Sequence, residues 1–116
     1  PFKDDKTSVK VFEEKLTLKE SSIYKEGVSL SLEEDLVPIL ESGVVIFKGE
    51  KKDYGKTIII QQIDGTNVWY GNLANLNVDL YDYVTKGEYL AEVSDKTLYL
   101  VFEKDGVYID YKKYIS

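Results

Sequence analysis

The stretch VWYGNLANLNVDLYDYVTKGEYLAEV, Val68 to Val93, decides how this chain is read. Just before it stands Asp64-Gly65, between Ile58–Gln62 and Asn67–Tyr70. An Asp-Gly pair between two apolar runs is a strong hairpin signal, because tight hairpin turns need left-handed backbone. Val68–Tyr70 is therefore the second arm of a hairpin. Asn72–Asn77 is read as a short helical turn, and Lys86-Gly87 as a later glycine turn. The aromatic side chains Trp69, Tyr70, Tyr81 and Tyr83 either line a groove for a partner or fill the core. In β domains packing is the commoner fate.

Working outward, the same grammar repeats. Toward the N-terminus, Val9 and Val11 alternate with polar neighbours, as do Leu16 and Leu18, and Val28, Leu30 and Leu32. Val44–Phe47 is a continuous apolar run between Gly43 and Gly49, and Thr57–Ile60 follows Gly55. Toward the C-terminus, Asp105-Gly106 joins Leu98–Glu103 to Val107–Asp110. One segment argues for helix. Ser31-Leu32-Glu33-Glu34 fits a capping box, and Leu32, Leu36, Ile39 and Leu40 sit at helical spacing. Pro38 would fall inside that helix and remove a backbone donor, at roughly 3 kcal/mol. The reading is a turn at Glu33–Asp35 and a strand from Leu36. The pattern predicts one all-β domain over residues 8–116 behind a charged, loosely ordered start at 1–7.

Composition narrows the function classes. The 116 residues carry a formal net charge of −6, which disfavours a nucleic-acid or anionic-membrane partner. With no histidine there is neither an imidazole base nor an imidazole zinc ligand. With no cysteine there are no thiolate metal sites, thiol nucleophiles or disulfides. The acidic run Glu33-Glu34-Asp35 reads as a solvated turn rather than a calcium site, since adjacent carboxylates do not converge on one point. No apolar run approaches the length of a membrane span.

From Gly43 onward the chain resembles the LytM/M23 family of zinc endopeptidases. Gly43-Val44-Val45 and Gly55-Lys56-Thr57-Ile58-Ile59-Ile60 open the match, and Tyr70-Gly71-Asn72-Leu73 stands where the family has Y-x-H-L. Tyr83-Val84-Thr85-Lys86-Gly87 stands for its late glycine turn, Tyr99-Leu100-Val101-Phe102-Glu103 for H-x-H-F-E, and Val107-Tyr108-Ile109-Asp110 for its end. Lys25-Glu26-Gly27-Val28-Ser29 falls where the family has H-x-G-x-D. The resemblance implies a small antiparallel β domain of sandwich and barrel-hybrid type. It also implies that Lys25, Ser29 and Val101 occupy the zinc-ligand places, and Asn72 and Tyr99 the places of the two further catalytic histidines. None of the first three competes for zinc, so the resemblance implies a degenerate pseudo-peptidase with no cofactor. In the vacated cleft, either Asn72 bonds a ligand or Tyr99 fills the space.

Gly49, Trp69-Tyr70-Gly71 and Leu80-Tyr81-Asp82-Tyr83-Val84 sharpen the resemblance, toward degenerate LytM domains of membrane-anchored sporulation regulators. That implies a non-catalytic scaffold between the mother-cell and forespore membranes, anchored by an N-terminal transmembrane helix outside this sequence. Its partners would be an intramembrane metalloprotease that it restrains, the membrane proteins associated with it, and a signalling serine protease that cuts it. The expected cut sites are Asp4–Thr7 first and a lysine-rich Gly49–Gly55 loop second. The alternatives are a peptidoglycan-binding module and an intermembrane channel or scaffold component. Val84–Lys96 also looks like a lipoyl hairpin, which leaves Lys96 acylation as a remote reading.

Overall fold

Strand-forming runs closed by tight turns leave the chain few options other than sheet. The computed structural model describes residues 18–109. The expected loose start, the alternations at Val9 and Val11 and at Leu16, and Asp110 all lie outside these residues. The strands are β1 (Leu18–Tyr24), β2 (Gly27–Leu32), β3 (Leu36–Pro38), β4 (Gly43–Lys51), β5 (Gly55–Gln62) and β6 (Asn67–Gly71). They continue with β7 (Leu73–Ala74), β8 (Tyr83–Val84), β9 (Tyr89–Val93), β10 (Thr97–Lys104) and β11 (Val107–Tyr108). The larger sheet runs β1-β2-β10-β6-β5-β4-β8, with β11 beside β10, and the smaller runs β3-β9-β7. All the pairings are antiparallel.

The two Asp-Gly pairs turn differently. Asp105 and Gly106 are both left-handed, at φ 55° and 79°, and close a two-residue turn. At Asp64-Gly65 only the glycine is left-handed. There the Asp64 side chain accepts the Thr66 N–H, and the loop closes by a bond from Gln62 N–H to the Thr66 carbonyl. Pro38 sits in β3, an edge strand of the small sheet, where its missing donor is tolerated. Glu33–Asp35 is an exposed bend, as the capping-box conflict suggested.

Alternation gives the large sheet two faces. Val28, Leu30, Ile58, Ile60, Val68, Tyr70, Leu98, Leu100 and Phe102 are all buried in one core cluster. Val37, Leu73, Leu90, Ala91 and Val93 of the small sheet join it, so the small sheet covers the inner face. Tyr70 is fully buried (0% exposed), and its hydroxyl accepts the Leu40 N–H at 2.9 Å. That corrects its reading as a partner-binding residue: the ring fills the core.

Two further expectations are corrected. Asn72–Asn77 is not a helical turn. Leu73–Ala74 forms β7 and pairs with β9, while Asn72 and Asn75 take left-handed φ of 66° and 50° on either side. Asparagine tolerates that region better than most residues. Nor is Gly49–Gly55 a loop. β4 and β5 pair as far as Lys51 and Gly55, leaving a three-residue turn whose Tyr54 N–H donates to the Lys51 carbonyl.

Candidate functional site

The outer face of the large sheet brings together Ser29, Trp69, Tyr99 and Val101 of the places that the sequence marked. In β10, Tyr99 and Val101 point away from the core, between Leu98, Leu100 and Phe102. Tyr99 stands opposite Ser29 of β2 and Gly71 of β6. Val101 stands opposite Trp69. Val101 is fully buried, and a Cβ on Gly27 would run into its Cγ2 and the Leu100 carbonyl, so glycine is what lets β2 lie this close.

A group of aromatic rings covers this face. Tyr24 stacks on Tyr99 at 4.1 Å between centroids, with planes 5° apart. Tyr54 meets Tyr24, Tyr99 and Trp69 edge to face at 5.6, 6.1 and 5.7 Å. Trp69 meets Tyr108 at 6.3 Å and donates its indole N–H to Glu103 Oε1 at 2.9 Å. The Lys51 ammonium lies 4.7 Å from the Trp69 ring and 4.8 Å from Phe47, in cation–π range of both. Offset and edge-on pairs of this kind add to plain burial. Tyr54 lies directly over Gly71, where an added Cβ would come within 3.0 Å of it.

Hydrogen bonds fix the rings. Tyr54 donates to Glu26 Oε1 at 2.6 Å, and Tyr24 donates to the Asp53 carbonyl at 2.5 Å. Burial, helped by the bond to Glu26, pushes the Tyr54 phenol well above its ordinary range. The same bond is the main reason that the Glu26 carboxyl is held below its ordinary value.

Asn72 follows β6, and its side chain is engaged within the fold. Its side-chain amide donates to the carbonyls of Ser94 (3.0 Å) and Thr97 (2.8 Å), clamping the short turn at Ser94–Lys96 between β9 and β10. Its backbone N–H donates to the Tyr54 carbonyl, and its own carbonyl accepts the Ser94 N–H. Lys25 stands apart, in the exposed turn between β1 and β2, 3.9 Å from Asp53 Oδ2. Tyr81 and Tyr83 lie at the far edge of the sheet, beside and within β8. Tyr54 and Glu26, central to this face, carried no sequence signal, because a tyrosine in a lysine-rich turn looks like any surface residue.

The family match comes from the order of the parts. The sequence pattern of peptidase family M23 fits residues 24–111. The chain belongs to that family. Stage IV sporulation protein FA of Bacillus subtilis (strain 168) is 31% identical over 85 residues, which are 70% of this chain and 32% of that protein. The chain thus spans about a third of that relative's length. The catalytic domain of the antimicrobial peptidase lysostaphin from Staphylococcus simulans superposes with a TM-score of 0.70 at 17% identity, covering 93% of this chain and 97% of that one. A chain in the structure of the SpoIIQ-SpoIIIAH pore forming complex superposes with a TM-score of 0.68 at 18% identity, covering 87% of this chain and 71% of that one. These two establish the LytM-like fold.

The M23 family implies zinc, and the residues that the resemblance puts at its places do not fit that ion. Lys25, Ser29 and Val101 supply no imidazole, thiolate or carboxylate, and Val101 is packed shut. A catalytic zinc needs three such ligands and an open position. Among the described residues no group of three His, Cys, Asp or Glu could hold a metal.

Proposed function

We propose that this M23 domain is a non-catalytic scaffold that presents a fixed surface to membrane-protein partners. One observation carries the reading. Side chains that would have to be free for catalysis are already spent on the fold: Asn72 clamps a turn, Tyr99 is stacked, and Val101 is buried. The kinship with stage IV sporulation protein FA supports placing the domain in a sporulation assembly outside the cytoplasm, tethered to a membrane by a segment beyond this sequence. On this reading the domain holds an intramembrane metalloprotease silent until a signalling serine protease cuts the tether.

The experiment reconstitutes the full-length protein with the metalloprotease in membranes. The protease should stay silent until the serine protease is added, and should stay silent in its presence when the tether is made uncleavable. Equal activity with and without the domain would overturn the reading. Stoichiometric zinc in protein purified without chelator would overturn its non-catalytic part. A second reading, binding to peptidoglycan, is favoured by Trp69 and Tyr108, partly exposed rings on the face where a peptidase would hold its substrate. Co-sedimentation with purified peptidoglycan, lost on Trp69→Ala, would move that reading ahead.

A further inference from the structure

At the end of the large sheet farthest from β1, the fold leaves a surface uncovered. β8 is two residues long, and its Tyr83 stands opposite Val44, both exposed. Ile46, Leu80 and Tyr81 are exposed beside them, and the Tyr81 N–H donates to the Val45 carbonyl at 2.7 Å. Tyr81 and Tyr83 are 75% and 62% exposed, and neither phenol has a hydrogen-bond or ring partner among the described residues. Contiguous exposed apolar groups of this kind mark interaction surfaces.

Next to the patch lies a cavity of about 370 Å³, lined by Asp82, Tyr83, Glu88 and Tyr89 together with the buried Val78 and Val84. Its two carboxylates are aimed by backbone donors. Asp82 Oδ2 accepts the Asp79 N–H at 2.8 Å, and Glu88 Oε1 accepts the Thr85 N–H at 2.7 Å. Neither is ion-paired among the described residues. The lysines nearby are engaged elsewhere, Lys86 with Glu41 at 3.8 Å and Lys48 with Asp79 at 2.8 Å. Two carboxylates with two phenol rings suit an organic cation, which takes both the charge and the ring faces. They do not form a metal-ligand cluster.

We propose that this pocket seats a lysine or arginine side chain of a partner protein, with apolar neighbours in the partner covering Val44, Ile46 and Tyr81. The proposal deepens the scaffold reading and rests on it. The net charge of −6 favours a basic partner and opposes a second copy of this chain.

The test titrates the isotope-labelled chain with an acetylated peptide of alternating leucine and lysine, and with its norleucine counterpart. The lysine peptide should shift the amide signals of Tyr83, Glu88 and Tyr89. Asp82→Asn with Glu88→Gln should weaken it about tenfold, a change of roughly 1.4 kcal/mol. These amides keep the oxygens that the Asp79 and Thr85 N–H groups need, so the melting temperature should not move. Equal binding of the neutral peptide, or shifts centred on Trp69 and Tyr108, would overturn the proposal. In the membrane assay, loss of the metalloprotease by the double variant supports the pocket. Equal retention by variant and wild type overturns the pocket and leaves the scaffold standing. No retention by the wild type overturns the scaffold, and the peptide titration then decides the pocket by itself.

Discussion

The two faces of the large sheet make opposite use of the same strands. The inner face is aliphatic over Val28, Leu30, Ile58, Ile60, Val68, Leu98 and Leu100, with Tyr70 and Phe102 as its large rings. It asks only to be dry, and the small sheet dries it. The outer face carries Tyr24, Tyr54, Trp69, Tyr99 and Val101, held by ring geometry and by hydrogen bonds to Glu26, Asp53 and Glu103. Of these, Tyr54 and Val101 are buried, and the other rings are half-buried around them. The difference teaches that one sheet can hold its two faces by different means, aliphatic burial on one and ring-to-ring packing on the other.

The comparison can be broken by mutation. Phe102→Ala on the inner face should destabilise by about 3–5 kcal/mol in urea unfolding, because a fully buried ring leaves a cavity. If the outer face is a true second core, Tyr54→Ala should follow at about 2–4 kcal/mol. A cost below about 1 kcal/mol, within the range of ordinary surface changes, would reduce the ring cluster to decoration. Asn72→Ala should cost about 1–2 kcal/mol for two bonds to backbone carbonyls. Asn72→His should lose the same clamp without gaining zinc, checked by metal analysis of the purified variant.

The smallest effect separates the faces by pH. The Glu26 carboxyl is held low by Tyr54, so its contribution is present above the unfolded carboxylate value and is lost as pH falls through the folded one. It is small, because Glu26 is exposed. Burial holds Tyr54 and Tyr70 high, so their contributions are present below the unfolded phenol value of about 10 and are lost as pH rises toward the folded ones. Tyr54→Phe should flatten the acid limb of a stability–pH curve and shrink the alkaline limb. The alkaline loss that remains belongs mainly to Tyr70 on the inner face, with smaller parts from Tyr24 and Tyr108, whose phenols burial also holds high.

What the sequence made legible follows the same division. Period-two alternation, the apolar run Val44–Phe47 and the Asp-Gly pairs placed β2, β4, β5, β6, β10 and β11, because inner-face burial is written locally. Pro38 ruled out a helix for reasons internal to its own segment. The outer face could not be read in this way. Tyr24 and Tyr99 are distant in the chain and stack only because β2 lies beside β10. The same holds for Asn72, whose partners sit in the turn between β9 and β10. Read locally it suggested a helical turn. In the fold it is a clamp, and its left-handed backbone is what aims it there.

The strand order also has a consequence for how the chain can be made. β10 lies between β2 and β6, so the β1–β2 hairpin joins the rest of the large sheet only through a strand that follows all the others of that sheet but β11. Until Thr97–Lys104 exists, β2 has no neighbour but β1, and its apolar residues have nowhere to dry. A chain stopped at Lys96 should therefore lack a closed sheet and be degraded readily. During synthesis the large sheet stays open until β10 emerges, because the long-range pairing comes last.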